Sequence, residues 1–136
     1  MFVDDKSHLK IPIHFKLGKT SRGIRVETSL DKIPEDKRAE YKTVVFEMRP
    51  ITWKMSNDLM RECRYKNMQT GTDDIDWIKY KEQKLKLVVA GWDAKSDDSK
   101  AIPVTEDAIM KLHPLIAETL LSLYDRESYL DEDSKV

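Results

Sequence analysis

Cysteine is almost missing from this sequence. The one present, Cys63, cannot close an internal disulfide, which fits a reducing compartment such as the cytoplasm. Long apolar runs are missing as well: nothing approaches the ~20 consecutive apolar residues of a membrane span. The opening residues, Met1-Phe2-Val3-Asp4-Asp5-Lys6, lack the basic and then apolar order of a secretory signal. A soluble protein with no membrane partner is the expectation. Excess charge of one sign is missing too, because 24 Lys/Arg stand against 25 Asp/Glu for a net charge of −1.

The usual marks of a catalytic or metal site are also lacking. Gly18-Lys19-Thr20 ends like a phosphate-binding loop, but that motif needs a glycine five residues earlier, where this chain has Ile13 inside a strand pattern. A hairpin turn accounts for it better. His8, His14 and His113 form no metal-ligand spacing with one another or with Cys63. Cys63 itself falls on an apolar helical stripe, where an inert buried thiol is expected. The carboxylate pairs Asp73-Asp74, Asp97-Asp98 and Glu106-Asp107 fall at turns and helix starts, where they favour the positive end of a helix dipole. No cofactor, metal or catalytic residue is expected. Lys16, Lys19, Arg22 and Arg25 surround the hairpin turn and could touch phosphates, but acids interrupt the other basic clusters. The segment after Pro114 carries Glu118, Asp125 and Glu127 in place of base-reading residues. Nucleic acid is not the expected partner.

What is present is enough for one domain. The 136 residues are 40% hydrophobic and 36% charged, and a chain of this size buries about two thirds of its unfolded surface. The charge is unevenly spread. Residues 1–66 carry 15 Lys/Arg against 10 Asp/Glu, a net of +5, and residues 67–136 carry 9 against 15, a net of −6. Such a dipole can favour a homo-oligomer or orient a partner; equally, the charges can simply solvate one surface.

The patterning reads as α+β. Residues 1–10 show no periodicity and read as a flexible arm, followed by a single domain over 11–130 and an acidic tail over 131–136. Within the domain, 11–49 is β-rich and 50–130 helical. Ile11, Ile13, Phe15 and Leu17 alternate, with His14 and Lys16 on the opposite, polar face. Pro12 lacks a backbone donor and places that strand at an edge or a strand start. Ile24, Val26 and Thr28 complete a hairpin, and Val44, Phe46 and Met48 give a third strand of a small antiparallel sheet. Pro34-Glu35-Asp36 opens a short helix over about 34–41.

Three or four helices follow. Thr52 caps the first, in which Met55, Leu59 and Cys63 form a buried stripe that continues the core of the sheet. Met68 to Thr72 ends it. Asp73 or Asp74 caps the next, which carries Ile78, Leu85, Val88, Val89 and Trp92 on one side and has Gly91 at its left-handed end. Ile102-Pro103-Val104 is an extended connector, Thr105 caps a short helix, and Pro114 starts the last. Trp53, Trp77 and Trp92 fall at or near helix ends, where a ring belongs either to the core or to a partner surface.

The order of parts resembles the tail assembly chaperones of long-tailed bacteriophages. Val45 to Trp53, with Met48-Arg49-Pro50-Ile51-Thr52-Trp53, looks like their strand–proline–tryptophan opening. Val88-Val89-Ala90-Gly91-Trp92-Asp93, a polar turn, Ile102-Pro103-Val104-Thr105 and Leu112 resemble the segment after their central helices. The resemblance implies a non-enzymatic protein of the host cytoplasm that binds the tape-measure protein and helps recruit tail-tube subunits. A permanent virion part, such as a head–tail connector or tail-terminator subunit, is the alternative. A partner surface is expected where Leu121 and Tyr124 lie on the outer side of the last helix, with Ile116, Leu120 and Leu123 facing the core. The segment ending at Val89 and Trp92 is the second candidate surface.

Overall fold

In the computed structural model, which describes residues 1–4, 6–18 and 23–129, the alternation from Ile11 to Leu17 becomes strand β1 (Leu9–Leu17). It pairs antiparallel with β2 (Ile24–Glu27), matching Leu17 to Ile24 and Phe15 to Val26. On its other side it pairs with β3 (Lys42–Met48), matching Ile11 to Phe46 and Ile13 to Val44. Lys19 to Arg22 of the connecting turn, and the acidic tail 131–136, lie outside the described residues. The strand begins at Leu9, inside the stretch read as an arm. Pro12 sits within a strand that has neighbours on both sides, yet β2 covers only His14 to Leu17. At Pro12 one side of β1 is therefore unpaired, and the missing N–H breaks no ladder bond.

Since β2 and β3 flank β1, the chain between them must cross it. It does so through two 3-10 turns, Leu30–Lys32 and Glu35–Glu40. Lys16, on the face opposite Phe15, donates to Glu40 at 2.8 Å, so the crossing covers that face. This corrects the expectation for His14. It is 6% exposed, and its Nδ1 lies 2.7 Å from the Thr43 hydroxyl, in place of standing on a solvated face.

Thr52 caps α1 (Trp53–Glu62) by accepting from the Met55 N–H at 3.2 Å. The helix ends well before Met68. Arg64–Lys66 and Asp73–Ile75 instead form a two-stranded ribbon, β4 and β5. Asn67 organises its turn, its side-chain oxygen accepting from Gln69 N–H and its amide donating to Asp74. Gly71 supplies the left-handed residue, with φ +71°. With Asp74 so engaged, Asp76 caps α2 (Trp77–Val88), accepting from Lys79 N–H at 3.1 Å; neither Asp73 nor Asp74 does.

The largest departure comes where α2 stops. Val89–Trp92 is not the end of that helix but a fourth strand, β6, that follows Val88 with no intervening loop. It pairs antiparallel with β3, so the sheet runs β2-β1-β3-β6. Gly91 lies in this strand opposite Glu47, and no left-handed turn is needed there. Thr105 then caps α3 (Glu106–Met110), and α4 (Pro114–Tyr129) starts at the proline, whose missing N–H is harmless in a first turn.

One face of the sheet carries the core. Ile11, Ile13, Phe46 and Met48 cluster with Leu85, Val88 and Val89, with Ile109 of α3, and with Ile116, Leu120, Leu121 and Tyr124 of α4. Leu59 and Cys63 are buried as expected, but outside this cluster, so α1 does not extend the sheet's core. Burial pushes the Cys63 thiol above its ordinary pKa, with Glu62 adding to the effect. Among the described residues, no helix is long and apolar enough to cross a membrane.

Candidate functional site

Two hollows among the described residues have a mainly apolar lining large enough to matter here. The larger is a cleft of about 910 Å³ at the Leu17 end of the sheet, closed on one side by α3 and the start of α4. Trp92 sets its geometry. From β6 the ring stands edge-on to Phe46, with centroids 6.0 Å apart, and its indole N–H donates to the Ile102 carbonyl at 2.7 Å. That bond ties down the polar turn. Asp93 reinforces it by accepting from Val45 N–H at 2.8 Å, and Ile102 N–H donates to the Ala94 carbonyl. The extended connector around Pro103 is thus strapped to the edge strand. Phe15, Val44 and Leu112 line the cleft, over a floor that includes Ile13 and Ile116.

The smaller hollow, about 540 Å³, lies between α2, α3 and α4. Leu85, Ile109 and Leu121 line it among buried residues, while Ile78 and Met110 stand at its rim, 73% and 38% exposed. A Lys81–Glu118 ion pair of 3.1 Å bridges α2 and α4 beside it. Ile78 also lines a third, shallower hollow with Tyr65, Ile75 and Trp77. Ile78 is thus common to both hollows, between the β4–β5 ribbon and α4.

The sequence-derived surface residues divide between these places. Trp92 is half-buried in the larger cleft. Leu121 is 9% exposed and forms part of the smaller groove's wall, so it does not project from the outer side of α4. Tyr124 is 1% exposed, and its hydroxyl donates to the Arg49 carbonyl at 2.7 Å; Val89 is 2% exposed in the core. Both α4 expectations are corrected for one reason: the helix is covered twice, by β1 and β2 on one flank and by α2 on the other. Ile78, which helix phase placed on the apolar side with Leu85, instead projects, as do Trp53 at 84% exposure and Trp77 at 57%, all three in the first turns of α1 and α2.

Among the described residues, no group of three or more His, Cys, Asp or Glu is placed to hold a metal ion. On the exposed surface of α1, hydrogen bonding from Lys54 holds the Asp58 carboxyl below its ordinary pKa, and Arg61 adds to the effect. Compared with known proteins, the chain matches no family model, no curated protein and no solved structure.

Proposed function

We propose that this protein is a non-enzymatic tail assembly chaperone of a long-tailed bacteriophage, acting in the host cytoplasm on the tape-measure protein and helping to recruit tail-tube subunits. The observation that carries this reading is that the stretches bearing the resemblance meet in space. Arg49 N–H donates to the Val88 carbonyl at 2.6 Å, and its guanidinium donates to the Val89 carbonyl at 3.1 Å. Trp92 holds Ile102, and Tyr124 holds Arg49. Segments far apart in the chain thus touch one another, and this contact is what supports the reading.

The client surface in this reading is the groove beside Leu121, continued by Ile78 and Trp77. A groove between helices with an apolar floor and an exposed apolar rim suits an amphipathic helix, which lays its stripe into such a site. Trp, with its large area and few rotatable bonds, commonly anchors such contacts.

Two measurements test the proposal. Purified virions analysed by mass spectrometry should lack this chain; a fixed stoichiometric complement would establish the connector or terminator alternative. Co-expression with a tape-measure fragment should give a complex that Ile78→Asp disrupts while the far-ultraviolet circular dichroism is unchanged. Retention of the complex by that variant removes the groove from the reading.

A further inference from the structure

The two edges of the four-stranded sheet are finished differently. At β6 the connector straps the edge: the Trp92 indole donates to the Ile102 carbonyl, and Ile102 N–H donates to the Ala94 carbonyl. At the other edge β2 has β1 as its only strand neighbour among the described residues. Gly18 N–H donates to the Gly23 carbonyl at 2.7 Å, which sets the phase of that ladder. Hydrogen-bonded pairs recur at every second residue, so Lys16–Arg25 and His14–Glu27 are the next ones along. The backbone groups of Ile24 and Val26 therefore point away from β1, where no described residue bonds to them.

Sheet edges are commonly blunted by proline, by repelling charge or by a covering segment. Strand β2 reads Ile24-Arg25-Val26-Glu27, with no proline and with opposite charges on either side of Val26. Arg25 and Glu27 share one face, 3.5 Å apart, with side chains 74% and 19% exposed. Ile24 and Val26, on the other face, pack against the core. Such a strand is complementary to itself in the reverse direction. Antiparallel pairing centred on Val26 sets Arg25 opposite Glu27 of the second strand, twice. The neighbouring registers, centred on Arg25 or on Glu27, oppose two like charges, which destabilises a sheet. The ladder phase agrees with the charges, because Val26 is a residue whose backbone groups face outward.

We propose that β2 pairs antiparallel with β2 of a second copy of this chain, about a two-fold axis at Val26. The N–H of each Val26 donates to the Val26 carbonyl of the other copy, and the two sheets join into one. The same patch meets itself, so the contact closes with two copies. Helix α4 packs on β1 and β2, and its Glu118 and Asp125 bond to Lys81 and Lys84 of α2. Leu115, Thr119 and Leu123, spaced i, i+4, i+8, fall on its other flank, and Leu115 is 44% exposed. The two-fold axis brings this row beside its copy under the joined sheet, which adds apolar contact to the paired strands. The groove beside Leu121 lies on the α2 flank and stays open in the dimer. This inference is therefore independent of the proposed client.

The test uses the full chain. Sedimentation velocity should show a monomer–dimer equilibrium with no larger species. Arg25→Glu and Glu27→Arg, each alone, should weaken the dimer by about tenfold or more, because like charges then stand opposite. Mixing the two variant chains should restore it, since every glutamate again meets an arginine. Disulfide formation reads the register. Arg25→Cys mixed with Glu27→Cys should cross-link, because opposite residues of a non-hydrogen-bonded pair lie about 4.5 Å apart at Cα. Arg25→Cys alone should not, since its two copies lie about 8 Å apart, beyond disulfide reach. Circular dichroism verifies each fold, and the exposed Arg25→Glu keeps the test valid where a change at Glu27 disturbs packing. A chain that stays monomeric at its highest soluble concentration overturns the proposal. A dimer that Arg25→Glu does not weaken and the cysteine pair does not cross-link overturns it too, by placing the contact elsewhere. Cross-linking of Arg25→Cys with itself in preference to the mixed pair assigns another register and likewise defeats it.

Discussion

Lys84 on α2 donates to Asp125 on α4 at 2.6 Å, and the two ends of this pair sit in different surroundings. The Lys84 side chain is 6% exposed and the Asp125 side chain 49%. The rings of Tyr80 and Tyr124 also lie near the ammonium, with centroids at 5.4 and 5.9 Å. Removing the carboxylate takes this counter-charge away from a buried cation, which keeps its other contacts. A full loss of that kind costs ~3–5 kcal/mol, but water can reach the vacated, half-exposed side and reduce it. Asp125→Ala should therefore cost about 1–3 kcal/mol. Lys84→Met removes the buried charge together with its need for a partner, and should cost less than Asp125→Ala. Urea unfolding of both variants checks the order; the reverse order would mean that the pair contributes mainly through attraction.

Leu121 and Tyr124 belong to the packed side of α4. Leu121→Ala should cost roughly 2–4 kcal/mol, the range for a buried leucine whose site cannot collapse fully. Tyr124→Phe keeps the ring and loses the hydroxyl's bond to the Arg49 carbonyl, so about 1–2 kcal/mol is expected. By contrast, Ile78→Ala at the groove's rim should stay within ~0.5 kcal/mol. Thermal or urea unfolding of the three distinguishes wall from rim, and a costly Ile78→Ala would show that residue to be packed.

The glycines separate backbone strain from crowding. At Gly71, φ is +71° and nothing lies within 4 Å of an added Cβ, so Gly71→Ala should cost about 1–2 kcal/mol through conformation alone. At Gly91 the conformation is ordinary, and an added Cβ meets the end of the Glu47 side chain at 3.1 Å. That side chain can swing away, so Gly91→Ala should cost less than Gly71→Ala. Equilibrium unfolding gives both numbers; a Gly91 penalty above that of Gly71 would mean Glu47 is held rigidly.

Lys16 and Glu40 give a pH-dependent handle on the crossing over β1. The hydrogen bond from Lys16, and then its charge, hold the Glu40 carboxyl below its ordinary value, and Lys37 adds a little. A folded pKa below the unfolded one means that the pair's stabilisation is complete above the unfolded value and is lost as pH falls through the folded one. Glu40 is exposed to solvent, so the effect is visible as a titration, not as a large change in stability. A carbonyl-detected NMR titration should give Glu40 a depressed midpoint, and Lys16→Met should return it towards the ordinary value. An unchanged midpoint in that variant would assign the depression to another group.

How much of this was legible in the sequence follows from which pattern each segment carries. Strands β1, β2 and β3 alternate strictly, and the caps Thr52 and Thr105 and the helix-starting Pro114 act within a few residues of themselves. All of these were readable. The β4–β5 ribbon was not, because Arg64-Tyr65-Lys66 and Asp73-Asp74-Ile75 are too short and too polar to show an apolar alternation and are held by a turn built on Asn67. Val88 to Trp92 misled for the opposite reason. A continuous apolar run satisfies helix and strand periods alike, and only the open edge of β3 decides it. The groove beside Leu121 depends on three helices arriving together, and no local pattern records that. Leu121 was expected on the outer side of α4, and its true side could not be known before α2 was placed.

The direct passage from Val88 into Val89 has a consequence for how this protein can vary. With no loop between α2 and β6, the helix and the edge strand share one count of residues. One residue added within α2 would turn everything after it by about 100°, the angle per residue implied by 3.6 residues per turn. Trp92 would then leave Phe46, and Asp93 would lose Val45. The Asn67–Thr72 turn, exposed and bounded by its own hydrogen bonds, has no such coupling. Length changes in natural variants of this fold should therefore collect in that turn, while the stretch from Trp77 to Asp93 keeps a fixed length even where its residues differ.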